Sequence, residues 1–153
     1  MYLCSANKKM LKAKSDENFK AIDILIASKT YSVAVHCAYY SSLQLVMHYV
    51  LSYAVKSEDI DEFINNTKNG VSSHNTYINK IMNEVKRVDA KAGVDIYKAL
   101  NSFKAKRNSA DYELNEIKEE DAKKSHDFAK QINNFLINFF NDGKITNIST
   151  RIV

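Results

Sequence analysis

The chain has 153 residues, of which 45% are hydrophobic and 26% charged, and it contains neither Pro nor Trp. That size and balance fit one globular domain able to bury a core without a metal or a disulfide, and they argue against disorder. The net charge of +4 permits an anionic partner without demanding one.

Apolar residues recur at helical spacing almost throughout, and the alternation of strands is absent. The opening MYLCSANKKMLKAKSDEN lacks the unbroken apolar core of a secretory signal. Its residues 2–13 read either as a separate helix or as an extension of the next. Ser15, followed by Asp16 and Glu17, suits a helix start, and Phe19, Ile22 and Ile26 set one face up to about Ala27. Thr30 or Ser32 then caps a second helix running to about Val55. Val33, Cys37, Tyr40, Met47, Leu51 and Ala54 form one of its stripes, and His36, Tyr39, Leu43, Val46 and Val50 another. Two stripes mean burial on more than one side, or contact with a partner subunit. The histidines, Gln44 and serines within it speak against a membrane span.

A short acidic helix is expected over 58–66, and the clearest loop signal lies over 65–70. Ser72 or Ser73 caps a helix carrying Tyr77, Ile78, Ile81, Met82, Val85 and Val88. Ile96, Leu100 and Phe103 mark the next, which leads into Lys104–Tyr112. A turn is expected near 114–118. Glu119, Glu120 and Asp121 open the last helix, and Gly143 stops it. The expectation is therefore one all-α domain over 1–143, an antiparallel bundle of four to five helices, with a tail over 144–153.

Two cysteines, Cys4 and Cys37, cannot form a framework of bridges and read as reduced thiols of a cytoplasmic protein. No zinc spacing, phosphate loop or nucleophile triad is present, so neither cofactor nor metal is expected. Only three of the 22 basic residues are Arg: Arg87, Arg107 and Arg151. Arg107 lies inside a helix with Lys104, Lys106 and Asn108, a strip suited to phosphate contacts. The plainer reading of that strip is a solvated helix face. Asp111 stands one turn beyond Arg107 and can pair with it. Tyr112 lies about 140° round a regular helix from Arg107, so the two share a site only if the helix ends or bends there.

Ala38-Tyr39-Tyr40-Ser41 in the second helix and Arg107-Asn108-Ser109-Ala110-Asp111-Tyr112 in a later one resemble the HEPN family. The likeness is to the subgroup with R-N-x-A-D-Y, and it spans roughly residues 15–141. It implies a homodimer with two Arg motifs at a shared cleft, associated with RNA or a nucleotide in a toxin–antitoxin or defence setting. It also implies that a nucleotidyltransferase or an antitoxin is a partner to expect. Ribonuclease members carry R-x(4–6)-H, in which Arg binds the scissile phosphate and His moves protons. Here Tyr112 stands where R-x4-H needs its His, so metal-independent cleavage is expected to be weak or absent. The family analogy puts His74 near the cleft as the substitute, gives Arg107 and Tyr112 the remaining chemical roles, and makes Asp111, Tyr39 and Tyr40 the support of the site. His36, His48 and His126 read as structural. The alternative is a non-catalytic interaction protein using the same surfaces.

Overall fold

A computed structural model describes residues 2–68, 73–112 and 116–141, the side chains of residues 2–7 and 68 excepted. Among these, every regular element is helical: α1 (Tyr2–Ala27), α2 (Tyr31–Tyr49) extended by a π-helical turn (Val50–Ala54), a 3-10 turn (Ser57–Asp59), α3 (Ile60–Lys68), α4 (Ser73–Val88), α5 (Ala90–Tyr112) and α6 (Glu119–Asn141). The expected four to five helices correspond to the five long ones; the short acidic α3 is a sixth.

The first helix has no break at Ser15. That serine is buried and spends its hydroxyl on the Ser41 carbonyl of α2, 2.7 Å away, instead of capping its own helix. Upstream of it, Lys12 pairs with Asp16 one turn on, which ties the two halves together. Helix α1 ends in a Schellman arrangement: Thr30 N donates to Leu25 O, and Lys29 N to Ile26 O. Lys29 takes the left-handed conformation this requires, at φ 61°. Thr30 stands at the N-cap of α2 but makes no side-chain cap bond. At the other end of the chain, Asp121 reaches back to the Lys118 N–H at 3.0 Å, half of a capping box that starts α6.

Helix α2 is the axis of the bundle. His48 meets the carbonyl of Lys8 while Ser41 meets Ser15, so α1 runs antiparallel to it. Tyr40 meets Arg107 while His36 meets Asp111, so α5 is antiparallel as well. Helix α6 lies along a further side in the same direction as α2, with Ser41 against Asn133 and Tyr49 stacked on Phe140. Ala34, Ala38, Ser41, Ser42, Ala122 and Ala129 are all buried, and their small side chains let α2 and α6 approach closely. The two apolar stripes of α2 are thus largely used within one chain: Tyr39, Leu43, Val46, Val50 and Leu51 are buried, while Val33 is 43% exposed.

Helices α4 and α5 meet at a corner of one residue, Asp89, whose Oδ1 accepts from Ala92 N at 2.9 Å and caps α5. At Gly93 an added Cβ would come within 2.7 Å of Lys86 Cβ and 2.8 Å of its backbone, so the corner closes only around a glycine. Gly143, the expected stop of α6, and the tail over 144–153 lie outside the described residues, as do Asn69 and Gly70 of the expected loop; Asn65 to Lys68 of that loop are helical instead, the last turn of α3. No described helix is long and apolar enough to cross a membrane.

Candidate functional site

Helical spacing puts His36, Tyr39 and Tyr40 on neighbouring positions of one face of α2, and α5 passes that face antiparallel. The consequence is one cluster built from α2, the start of α4 and the end of α5. Arg107 lies at its centre. Its Nη2 donates to the Tyr40 hydroxyl at 2.7 Å and its Nη1 to Asn108 Oδ1 at 2.8 Å. Its Nε stands 2.9 Å from Asp111 Oδ2, yet that N–H has no acceptor in line, so the attraction is one of charge more than of hydrogen bonding. The guanidinium carbon sits 5.3 Å from the centre of the Tyr40 ring, 5.8 Å from Tyr39 and 5.9 Å from Tyr112. Burial works against its charge, but Tyr40, Asp111 and Tyr112 together outweigh burial and hold its pKa above the usual value. Only 12% of the side chain is exposed.

Two imidazoles flank Tyr40. His36 stacks on its ring at 4.5 Å and 31°, and His74 meets it edge-on at 5.7 Å. His74 Nδ1 lies 3.1 Å from the hydroxyl of Tyr39, a fully buried side chain. Burial pushes the Tyr39 pKa up, so its hydroxyl stays protonated and can donate to that nitrogen. Burial, then Lys104 and Arg107, push the His74 pKa below its usual value and keep the ring neutral. Lys104 reaches back across the helix pair to Asn75 Oδ1 at 2.7 Å.

Most of the residues singled out in the sequence therefore come together: Arg107, Asn108, Asp111, Tyr39, Tyr40, His74 and Lys104. Tyr112 joins them because α5 ends at that residue; its ring is 77% exposed beside the guanidinium. Lys106 does not join. It turns to α6, where its ammonium lies 5.4 Å from the centre of the Phe128 ring, so the basic strip of the sequence divides over two faces of α5.

His36 was expected to be a satisfied residue of the core; it has a partner but does not lie in the core. Its side chain is 42% exposed and its Nδ1 lies 3.2 and 3.3 Å from the two Asp111 carboxylate oxygens. The signal in the sequence was its place one turn before Tyr39 and Tyr40; its partner lies 75 residues away and was not visible. The other two histidines, read as structural, lie outside the cluster and have partners of their own. His48 Nδ1 sits 2.9 Å from the Lys8 carbonyl, and His126 packs on Phe19 with Asp23 at 3.4 Å.

The described residues contain no group of His, Cys, Asp and Glu that could hold a metal ion. Cys37 is a free thiol whose pKa burial raises, which makes it a poor nucleophile. What the cluster offers is a fixed guanidinium, an ammonium, two imidazoles and an exposed phenol, the equipment for handling an oxyanion. No family model, no curated protein and no solved structure matches the chain.

Proposed function

We propose that the chain is a HEPN-like module that pairs with a second copy and holds RNA or a nucleotide by its phosphate at the Arg107 cluster, in a toxin–antitoxin or defence setting of the cytoplasm. One observation carries the reading: Arg107 is anchored from inside by Tyr40 and Asp111, while its Nη1 donates, among the described residues, to Asn108, an exposed neighbour whose amide a phosphate oxygen can displace. A guanidinium fixed in this way loses little freedom on binding and offers a fork that matches two phosphate oxygens. Lys104 adds charge, and the exposed Tyr112 ring adds a surface on which a base can stack.

Anisotropy of a labelled single-stranded RNA in EDTA tests this. Arg107→Ala should lose binding by about tenfold or more, and Arg107→Lys should recover little of it, because an ammonium lacks the fork. Lys104→Ala should weaken binding modestly and flatten its dependence on salt. Binding by Arg107→Ala equal to that of the wild type sinks the reading.

A second reading has an observation of its own. With 12% of its side chain exposed and partners on α2 and α5, Arg107 can serve as a clasp between those helices. The chain would then be a non-catalytic interaction protein that presents Tyr112 to a partner such as a nucleotidyltransferase. In that case Arg107→Ala lowers the melting temperature while RNA binding is absent from the wild type too.

A further inference from the structure

A crevice of about 310 Å³ opens between α1, α2 and α6, and no residue of the Arg107 cluster lines it. A chain of buried polar groups ties the three helices together beneath it. Ser15 Oγ donates to the Ser41 carbonyl at 2.7 Å, and Asn133 Nδ2 donates to Ser41 Oγ at 2.8 Å. Ser15 is 2% exposed, Ser41 0% and Asn133 8%. Ser15 and Asn133 both line the crevice, and with Nδ2 spent on Ser41 the other end of the amide is left over: Asn133 Oδ1 is buried and has no hydrogen-bond partner among the described residues. An amide oxygen can only accept, and a buried acceptor is costly to leave without a donor. The atom therefore calls for an N–H or O–H supplied from the crevice. The other walls are of two kinds. Helix α1 runs antiparallel to α6, so Lys20, beyond Ser15, and Lys130, before Asn133, fall at the same end, while Asp16 lies beside Ser15 at the level of Asn133. All three charged side chains are on exposed residues. The apolar wall is Phe19 from α1, Leu45 from α2 and Ile137 from α6.

We propose that this crevice binds a free α-amino acid with an aliphatic side chain. The ammonium of the ligand donates to Asn133 Oδ1, with the Asp16 carboxylate beside it to balance the charge. Its carboxylate lies at the end held by Lys20 and Lys130, and its side chain packs on Phe19, Leu45 and Ile137. A donor, an anion and an apolar body on one small molecule thus answer the three features of the walls. Ligand pockets run from about 300 to 1,000 Å³, so this crevice is at the small end and suits a molecule of amino-acid size. A single water would satisfy Oδ1 while leaving the lysine pair and the apolar wall unused. Because its walls come from three helices, an occupant bridges α1, α2 and α6 and stabilises the fold by mass action. The site is independent of the phosphate-binding reading above.

Calorimetric titration and thermal melting of the full chain with L-leucine test this. Leucine should bind with a Kd of about 1 mM or tighter, an affinity within reach of so small a molecule, and should raise the melting temperature. Leucinamide lacks the carboxylate and 4-methylpentanoate lacks the ammonium, and each should bind at least about tenfold more weakly. The double variant Lys20→Gln, Lys130→Gln changes exposed residues alone, so it should leave the melting temperature of the free chain as it is and weaken leucine by about tenfold. Asn133→Ala removes the acceptor and should abolish binding; should that variant fail to fold, the lysine variant and the two leucine analogues still decide. No binding of leucine by the wild type at about 10 mM overturns the proposal and leaves the crevice to water. Binding of 4-methylpentanoate as tight as that of leucine, or leucine binding unchanged in the lysine variant, overturns it as well.

Discussion

At the scale of single residues, the Tyr40 hydroxyl separates a site from a clasp. It is the inner anchor of Arg107, at 2.7 Å, and a hydrogen bond to a charged group contributes about 1.5–3 kcal/mol. Partial exposure reduces this, so Tyr40→Phe should cost about 1–2 kcal/mol in urea unfolding. If Arg107 serves a phosphate, the same variant should also weaken RNA binding, since the fork is no longer held in place. A variant that loses stability and keeps full affinity would assign Tyr40 to packing alone. The His74 ring gives a second residue-scale prediction, with its sign set by burial, Lys104 and Arg107, which lower its pKa in the folded chain. Above the unfolded value of about 6.5 neither state carries the proton and pH has no effect through this group. As pH falls below that value the unfolded chain binds the proton first, so stability is lost until the lower folded value is passed. Urea midpoints measured from pH 7.5 down to 5 should fall, and His74→Gln should flatten the fall. These contacts were only half legible in the sequence. Arg107 with Asp111 is a spacing within one helix, and the two tyrosines lie on one face, but His36–Asp111 and Tyr40–Arg107 depend on how α2 and α5 are aligned.

At the scale of elements, two backbone positions carry opposite predictions. Lys29 holds a left-handed conformation to close the α1–α2 turn, which costs a residue with a Cβ roughly 1–2 kcal/mol. Glycine removes that cost and adds some freedom to the unfolded chain, so Lys29→Gly should gain about 0.5–1 kcal/mol. Gly93 is the converse, because the α4 backbone at Lys86 occupies the space a methyl would need. Gly93→Ala should cost about 1–3 kcal/mol, and if it does not, the corner at Asp89 opens more easily than its contacts imply. Thermal melts of the two variants against the wild type decide both. Helices α4 and α6 were legible because each carries one strong apolar face, and α2 because it is apolar on more than one side. What the sequence hid were features set by partners far along the chain. Ser15 has the look of a cap and is instead a link from α1 to α2. The last turn of α2 winds as a π-helix, with Ser52 Oγ donating to the His48 carbonyl at 2.7 Å, and no residue pattern announces it.

At the scale of the whole molecule, the question is how two copies would meet. Surplus apolar surface on α2 suggests a dimer in the sequence, but α1, α4, α5 and α6 cover most of that surface within one chain. The apolar groups left exposed near the cluster are Val33, one turn before His36, and Tyr112 at the end of α5. A dimer formed over these residues would bring two Arg107 sites face to face, as the proposed function requires. It would also bring together two chains of net charge +4, so like charges oppose the pairing until an anion lies between them. A ligand that binds the paired form more tightly than the single one shifts the equilibrium by mass action. Sedimentation equilibrium at tens of micromolar should therefore show a dimer that an RNA oligonucleotide strengthens and Val33→Glu weakens. Moderate salt should strengthen it in the absence of RNA, by screening the repulsion across the cleft. A monomer that stays monomeric with RNA bound would place the whole of the site on one chain and remove the shared cleft from the mechanism.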